Sequence, residues 1–319
     1  MCVPQRVAAR VALTVLLGVC VPLAQAPARE ATIAVLYPDA EGIYRELFGQ
    51  LLSGIDAATG PQNNRRHLVD KKGREDLSSW LTATRPQAVI TLGPQPYEDY
   101  RSSGYPARSV SGALDLSPQL DHNTDGISLS AAPELFFGTL RQLLPAIDRV
   151  FVVANPSKSS WIIERAQDLA SRYGITLVAY DASDLAAAAQ HFRAIFEHAR
   201  PDQDGLWIPL DGALIDEQAV WPLIVEQSWY RRVAVFSNDL RHARHGALFA
   251  LYMDPEKLGQ RLAERALAVA YGAVTDYPSI EPLRAVKRAL NLRFAHHLGV
   301  DVQRVIHEFD AVFPPPGSP

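Results

Sequence analysis

Cysteine is scarce in this sequence. The 319 residues contain two cysteines, Cys2 and Cys20, and both lie in the N-terminal segment. Without that segment the chain can form no disulfide, no thiolate metal site and no thiol nucleophile. The patterns G-x-G-x-x-G, H-E-x-x-H and G-x-S-x-G are also absent. The sequence therefore has no motif for a dinucleotide site, a zinc protease or a serine hydrolase.

An excess of positive charge is absent as well. The 31 lysines and arginines are outnumbered by 35 acidic residues, so the formal net charge is −4. This balance argues against broad binding to nucleic acids or anionic membranes, and we expect no nucleic-acid partner. The hydrophobic content of 48% is ordinary for a globular protein, and the length accommodates one large or two ordinary domains.

The apolar run near the start of the chain is too short to span a membrane comfortably. It covers residues 11–24, follows two arginines and precedes small residues at 26–28. A basic start, an apolar centre and a small-residue end, in this order, are typical of a secretory signal peptide. We predict a signal peptide over residues 1–28 and a periplasmic location. Lipoprotein anchoring at Cys20 is disfavoured, because Val19 stands where a smaller residue is required.

From residue 32 onward, apolar runs of strand length alternate with segments of helical spacing. Thr32–Tyr37, Ala88–Leu92 and Val150–Ala154 have the composition of buried strands, whereas Glu41–Thr59 has apolar residues at helical intervals. About ten such strands are predicted, with an irregular stretch at 105–133. This alternation predicts an α/β fold whose parallel sheets are covered by helices, and two lobes accommodate the strands better than one sheet.

The segment after Val150–Ala154 is the first candidate site. Asn155, Ser157, Lys158, Ser159 and Ser160 lie between a strand and a helix, where α/β proteins bind ligands. A phosphate loop is excluded by the lack of glycine, and a Ser159–Lys158 hydrolase is disfavoured because a lysine in this polar turn is expected to be solvated. The serines and Asn155 can cap the helix or bind a ligand, and both interpretations remain open.

Polar residues follow other predicted strands in the same way. Tyr37 lies at the end of the first strand, and Gly93 and Gln95 follow the third. Asp211, after the strand Gly205–Pro209, can pair with a ligand amino group or form the turn before the next helix. Asn238 has the same two interpretations. We take all five positions as candidate ligand-binding residues.

The histidines do not predict a metal site. His242 and His245 can share one face of a helix, but a metal ion needs three or four ligands and no further ligand is visible nearby in the sequence. The sequence therefore predicts no metal ion, no cofactor and no catalytic residue.

From residue 150 onward the sequence resembles the ABC-transporter substrate-binding protein family that includes tryptophan- and tyrosine-binding members. The resemblance is loose in each motif, but the motifs occur in the family's order over roughly half of the chain. They are Asn155–Ser160 (NPSKSS), Gly205–Asp211 (GLWIPLD), Val233–Asn238 (VAVFSN), Asp254–Gly259 (DPEKLG), Leu298–Val300 (LGV) and Phe309–Pro314 (FDAVFP).

The resemblance implies a type I periplasmic-binding fold, in which two Rossmann-like lobes are joined by three crossovers and close on a ligand. It implies a small-molecule ligand, such as an amino acid, a membrane permease as partner and a monomeric protein. Asn155 and the three serines would bind the ligand from the second lobe, Asp211 would meet its amino group, and Gly93–Pro96 would face them. The implied boundaries are 30–143 with 247–277 for lobe one, 144–246 with 278–314 for lobe two, and a tail at 315–319.

The first lobe departs from the family's pattern. Where the family has a turn of the Gly-Thr-Pro-Ala-Ala type, this chain has Gly93-Pro-Gln-Pro-Tyr97. The alternative function is therefore an envelope sensor or accessory subunit of the same fold, without transport. A cleft filled by Tyr97 or Trp161 would favour that alternative.

Overall fold

The structure is a computed structural model of the chain and describes residues 31–60, 64–121, 124–210, 214–273 and 279–315, with the backbone alone at 71–74. The predicted signal peptide lies outside the described residues, as do Asp211 and most of the predicted tail.

The described residues form thirteen strands and eleven α-helices. None of these helices is long and apolar enough to cross a membrane. The strands are β1 Ile33–Pro38, β2 Asn64–Val69, β3 Ala88–Leu92, β4 Arg108–Gly112, β5 Asp125–Ala131, β6 Arg149–Ala154, β7 Thr176–Asp181, β8 Asp204–Ile208, β9 Ala234–Ser237, β10 Phe249–Met253, β11 Ile280–Leu283, β12 Val286–Asn291 and β13 Ala311–Phe313. The helices are α1 Ile43–Thr59, α2 Lys71–Thr84, α3 Pro94–Ser103, α4 Pro133–Leu143, α5 Pro156–Ala170, α6 Leu185–His198, α7 Val220–Arg231, α8 Leu240–Arg244, α9 Pro255–Ala270, α10 Leu292–His297 and α11 Val302–Val305.

The strands form two sheets. The first sheet has the order β11-β5-β4-β3-β1-β2, and the second has the order β13-β12-β10-β9-β8-β6-β7. All pairs are parallel except β10 with β12. The strands are buried where helices cover both faces, as in β3 and β8, which explains their nearly continuous apolar runs. The prediction of a two-lobed α/β fold with parallel sheets is confirmed.

The chain passes three times between the sheets, and two strands belong to a different sheet from the one expected. β10 pairs with β9 and β12 in the second sheet, although residues 247–277 were predicted in lobe one. β11 pairs with β5 in the first sheet, although residues 278–314 were predicted in lobe two. A short apolar run shows that a strand forms but not which neighbour it pairs with, so these exchanges are not visible in the sequence.

Within 105–133 the sequence predicts two weak strands, near Arg108–Ser111 and Gly126–Leu129, and both are confirmed, as β4 and β5. The sequence predicts a helix over Ile215–Trp229, and the start of this prediction is wrong, since α7 begins at Val220. Asp216 is the reason, because its carboxylate accepts hydrogen bonds from the amides of Gln218 and Ala219 and so holds the chain in a turn. Ile215 and Glu217, in and beside this turn, line the site described below.

Helices α1 and α9 cross in the first lobe at two glycines. A Cβ atom at Gly54 would lie 2.0 Å from the carbonyl oxygen of Glu256, and one at Gly259 would lie 2.1 Å from the carbonyl oxygen of Leu51. Both carbonyl oxygens are backbone atoms, so the clash cannot be relieved by a change of side-chain rotamer. The two helices therefore pack at this distance only because neither residue has a side chain.

We expect Gly54→Ala to destabilise the protein by about 1–3 kcal/mol, because the added methyl group forces the helices apart. Gly49→Ala is the matched control, since Gly49 lies in the same helix and nothing lies within 4 Å of its Cβ position. The control should stabilise the protein by about 0.5–1 kcal/mol through helix propensity. Urea unfolding measures both; equal effects of the two substitutions would contradict the crossing as the cause.

Candidate functional site

Tyr37 and Gly93 lie at the carboxyl ends of two paired strands of the first sheet. Tyr37 is half-buried near the end of β1, and Gly93 directly follows β3. The φ angle of Gly93 is +88°, in the region that favours glycine. A Cβ at Gly93 would lie 3.5 Å from the ring of Phe48 in α1. The structure thus brings β1, β3 and α1 together at one edge of the first sheet.

Gln95 and Tyr97 belong to α3, which follows this edge. The exposed Gln95 amide donates a hydrogen bond to Asp99 Oδ1 at 2.9 Å. Tyr97 is 4% exposed, and its hydroxyl lies 2.9 Å from Asp121 Oδ1 and 2.8 Å from Thr124 Oγ1. Burial raises the pKa of this phenol. Tyr97 is therefore a packing residue of the first lobe, which accounts for the departure from the family's turn.

Asn155 caps α5. Its Oδ1 accepts hydrogen bonds from the amide and the hydroxyl of Ser157, at 3.0 and 2.7 Å. Ser159 is 4% exposed, Ser160 is half-buried and Lys158 is exposed. Capping is thus confirmed for Asn155, and a ligand role for this segment stays a prediction.

A cavity of about 90 Å³ lies at the carboxyl ends of β8 and β9 in the second sheet. We call it the β8–β9 cavity. One side is apolar and includes Ile208, Pro209 and Ile215. The other side is polar and is formed by Glu217, Ser237, Asn238, Asp239, Arg241 and His242.

The charges of this cavity come from two carboxylates and one guanidinium group. Arg241 Nη2 lies 2.5 Å from Asp239 Oδ2 and 3.5 Å from Glu217 Oε1. Asp239 Oδ1 also accepts the amide of Arg241 at 2.7 Å and so caps α8. Burial alone would raise the pKa of Asp239, but the hydrogen bonds from Arg241 outweigh it and lower that pKa. Asp239 is therefore ionised at neutral pH.

His242 forms the buried floor of the cluster at 5% exposure. Its Nδ1 lies 2.6 Å from Ser237 Oγ, and its ring stacks on Trp221 with 3.9 Å between centroids. Burial lowers the pKa of His242, although the carboxylates of Asp239 and Glu217 act in the opposite direction. The imidazole is thus neutral at pH 7, with its orientation fixed by a hydrogen bond and a stacked indole.

Two buried polar atoms at this cavity have no hydrogen-bond partner. They are Asn238 Oδ1 and His242 Nε2. The His242 nitrogen lies 3.3 Å from Glu217 Oε1, but without the geometry of a hydrogen bond. Buried polar groups in proteins are almost always paired, so unpaired atoms facing a cavity indicate a place for a polar ligand.

The first lobe approaches this cluster through the start of α1. The pKa of Arg241 is raised, chiefly by its hydrogen bond to Asp239, and the phenol of Tyr44 contributes in the same direction. Tyr44 therefore lies near Arg241, although it belongs to the other lobe. Tyr44 is 62% exposed and Ile43 is 78% exposed. Ile43 and Tyr44 thus give the start of α1 an exposed apolar and phenolic surface.

Comparison of the sequence with models of known protein families shows the family of this chain. The sequence model described as ABC transporter substrate binding protein matches residues 123–310, which is more than half of the chain. The chain belongs to this family. No curated protein matches the sequence.

Solved structures of substrate-binding proteins have the same fold. One is the ligand-free, open form of CD0873, a substrate-binding protein with adhesive properties from Clostridium difficile (TM-score 0.64, 14% identity, covering 88% of this chain and 99% of that one). Another is an ABC domain in complex with L-Trp from Streptococcus pneumonia (TM-score 0.54, 15% identity, 89% and 99%). A third is a conserved domain protein from Vibrio cholerae (TM-score 0.54, 17% identity, 88% and 99%). At these identities the likeness shows the fold, and the type I periplasmic-binding architecture is confirmed.

Asp239, Arg241 and Glu217 line the cavity of this substrate-binding protein, but the sequence analysis does not name them as ligand-binding residues, and Glu217 is the most distant of them in the chain. It lies 22 to 25 positions before Asp239 and His242 in the chain, and the helix predicted from Ile215 would have hidden it in a first turn. The signal that could have revealed it is Asp216, a good capping residue just before Glu217. Asp211 lies outside the described residues, directly after Leu210, which lines the β8–β9 cavity.

His245 does not share a site with His242. It is exposed and lines a separate cavity of about 580 Å³ together with Trp229, Asn291 and Phe313. Asn291 ends β12, which runs antiparallel to β10, so this larger cavity lies at the opposite edge of the second sheet from the strand ends considered above.

Proposed function

We propose that this protein is the extracytoplasmic substrate-binding subunit of an ABC-type uptake system. It captures a small polar or amino-acid-like molecule between its lobes and presents the closed form to a membrane permease. Family membership supports the uptake role, and the predicted signal peptide supports a periplasmic location. The observation that carries the ligand site is the β8–β9 cavity with its unpaired polar atoms.

The charges of the cavity favour a zwitterionic ligand. Glu217 and Asp239 suit an amino group, whereas Arg241 suits a carboxylate and is 65% exposed, so it can turn toward a ligand. The L-Trp bound in the Streptococcus pneumonia structure is a ligand of this kind. Asp211, Asn155 and the serines of α5 stay proposed contacts.

Two side chains bear on the alternative of a sensor or accessory subunit. Tyr97 is hydrogen-bonded within the first lobe, and the half-buried Trp161 packs against the main core. Neither observation favours a cleft filled by aromatic side chains. This arrangement supports ligand capture as the first function to test.

The direct test is a thermal-shift screen of the purified protein against amino acids, small organic acids and sugars. A ligand at 100 times its dissociation constant is expected to stabilise the protein by about 2.7 kcal/mol. Stabilisation by an amino acid would support the proposal. If no compound of the three classes shifts the transition, the proposal of a small polar ligand is wrong.

With a ligand in hand, we expect Arg241→Ala to weaken the binding of a ligand carboxylate by about 10- to 100-fold, because a charged hydrogen bond is lost. Tyr230→Ala is the control, since Tyr230 is an exposed aromatic residue at the end of α7, outside the cavity lining. Asp211→Ala should weaken an amine ligand and spare its deaminated analogue. Unchanged affinity in Arg241→Ala would contradict the role of this wall. Isothermal titration calorimetry measures all three variants.

A further inference from the structure

Three side chains of the β8–β9 cavity have the donor atoms of a metal site. One nitrogen or oxygen atom from each of Glu217, Asp239 and His242 lies within 4.8 Å of the other two. We propose that these three residues bind a divalent transition-metal ion of the Zn²⁺ class and leave a coordination position open toward the cavity. Three protein ligands with one open position is the arrangement of zinc sites that also bind a water or a small molecule.

The spacing of two donors already fits such an ion. Zinc binds histidine nitrogen and carboxylate oxygen at about 2.0–2.2 Å, so two ligands of a tetrahedral ion lie about 3.4 Å apart. His242 Nε2 and Glu217 Oε1 are 3.3 Å apart. Asp239 is the third ligand, with a carboxylate oxygen within 4.8 Å of the other two donor atoms.

The burial and hydrogen bonding of His242 also indicate that this side chain binds a metal ion. The side chain is 5% exposed, and Nε2 is buried without a hydrogen-bond partner beside the two carboxylates. The other ring nitrogen lies 2.6 Å from Ser237 Oγ and can donate its hydrogen there. Histidines that bind metals usually donate the second N–H to such a partner, which fixes the tautomer. Stacking on Trp221 holds the ring in the same orientation.

Arg241 is the cation that a metal ion must replace. Its guanidinium group lies against both carboxylates, 2.5 Å from Asp239 and 3.5 Å from Glu217. The side chain is 65% exposed, so it can move into solvent without burying its charge. Metal binding and the Arg241 ion pairs therefore exclude each other, and the displaced guanidinium becomes available to a ligand carboxylate.

The donor set selects the class of metal. Mg²⁺ and Ca²⁺ prefer sites made of oxygen atoms alone, whereas one imidazole with two carboxylates suits Zn²⁺, Co²⁺ and Ni²⁺. Soft thiolate and thioether donors are absent among the three residues, which argues against a site for Cu⁺. A metal ion and a ligand amino group would compete for Glu217 and Asp239, so the metal site is an alternative to the amino-group contact proposed above. The inference does not depend on the proposed uptake function, because all three ligands follow β8 and β9 and belong to one lobe.

The test is a calorimetric titration of tag-free, chelator-treated protein with ZnCl₂, with MgCl₂ as the comparison. We expect saturable binding of one Zn²⁺ per chain and none of Mg²⁺ at the same concentrations. Co²⁺ should give the intense visible absorption of a tetrahedral site. Glu217→Gln, which keeps the side-chain shape, should weaken Zn²⁺ by at least about 10-fold, and Ser237→Ala by about 10-fold through the imidazole.

Arg241→Gln distinguishes this site from a nonspecific effect of charge, because it should change Zn²⁺ affinity in the opposite direction from Glu217→Gln. Removing the competing cation should tighten Zn²⁺ binding, whereas Glu217→Gln should weaken it. His245→Ala is the matched control and should bind like the parent protein, since His245 lines the other cavity. Circular dichroism confirms that each variant is folded. Absence of saturable binding, or binding that Glu217→Gln and His242→Ala both leave unchanged, would overturn the site. Amino-acid binding without any Zn²⁺ binding would overturn the metal site alone and leave the uptake function standing.

Discussion

Replacing Phe136 with alanine is expected to lower the free energy of unfolding by about 3–5 kcal/mol, one of the largest single effects in this protein. Phe136 of α4 is fully buried. Its ring centroid lies 5.4 Å from that of Trp207 and 5.7 Å from that of Phe236. Truncation removes the contacts of the ring and leaves a cavity that these large neighbours cannot fill without leaving their own positions.

Two further variants isolate the cause. Phe136→Leu keeps much of the apolar volume and should destabilise the protein by clearly less than alanine does. Tyr230→Ala removes an aromatic ring that is 74% exposed and should change the stability by no more than about 0.5 kcal/mol. Urea unfolding measures all three. We call Phe136, Trp207 and Phe236 the aromatic layer. If Phe136→Ala destabilised the protein as little as Tyr230→Ala does, the aromatic layer would not be a centre of the core.

The same substitution should affect the ligand site. Trp207 and Phe236 precede Ile208 and Ser237, which line the β8–β9 cavity. The aromatic layer behind β8 and β9 therefore supports the strand ends that hold the polar wall. A loosened layer lets these ends shift, so we expect weaker ligand binding in Phe136→Ala even where the protein is folded.

Much of this fold could be predicted from the sequence because its strands are buried on both faces. Continuous apolar runs such as Val150–Ala154, followed by helical spacing, predict parallel strands with crossover helices. The capping role of Asn155 was predictable for a local reason, since its side chain reaches an amide two residues away. Signals of this kind can be recognised within a short segment of sequence, because they depend only on residues that are neighbours in the chain.

Features that join distant parts of the chain were not predictable. β10 and β11 have ordinary strand compositions, and only the packing of α9 on α1 shows how the chain leaves the second sheet after β10 and reaches the first at β11. The pairing of Glu217 with His242 depends likewise on a turn at Asp216 that replaces a helical turn. The strand ends could be proposed as a ligand site from the sequence, whereas the charged residues of the β8–β9 cavity are visible only in the folded chain.

A second large effect is expected at Asp204, the first residue of β8. Its carboxylate is fully buried and accepts hydrogen bonds from the guanidinium groups of Arg149 and Arg200, at 2.6 and 2.7 Å for the shortest pairs. It also accepts the amide of Arg200 at 2.6 Å. These bonds tie the start of β8 to β6 and to the loop between α6 and β8.

We expect Asp204→Ala to destabilise the protein by about 3 kcal/mol, at the lower end for a broken buried ion pair. The lower end applies because Arg149 and Arg200 are 30% and 40% exposed and can be hydrated. Glu264→Ala is the control, since its pair with Arg261 lies on the surface of α9 and should contribute less than about 1 kcal/mol. A loss below 1 kcal/mol in Asp204→Ala would show that the network is dispensable.

The effect at Asp204 should also depend on pH in a defined direction. Burial alone would raise the pKa of this carboxyl group, but the hydrogen bonds from Arg149 and Arg200 outweigh it and lower the pKa in the folded protein. A group whose pKa falls on folding stabilises the protein fully above its unfolded pKa, which is about 3.9 for aspartate, and loses that contribution as the pH falls through the folded pKa. The difference in unfolding free energy between the parent protein and Asp204→Ala should therefore be constant from pH 7 to about 5 and shrink below about 4. A difference that grew on acidification would contradict the charged state assigned to Asp204, and it would show that β8 is anchored by the neutral acid.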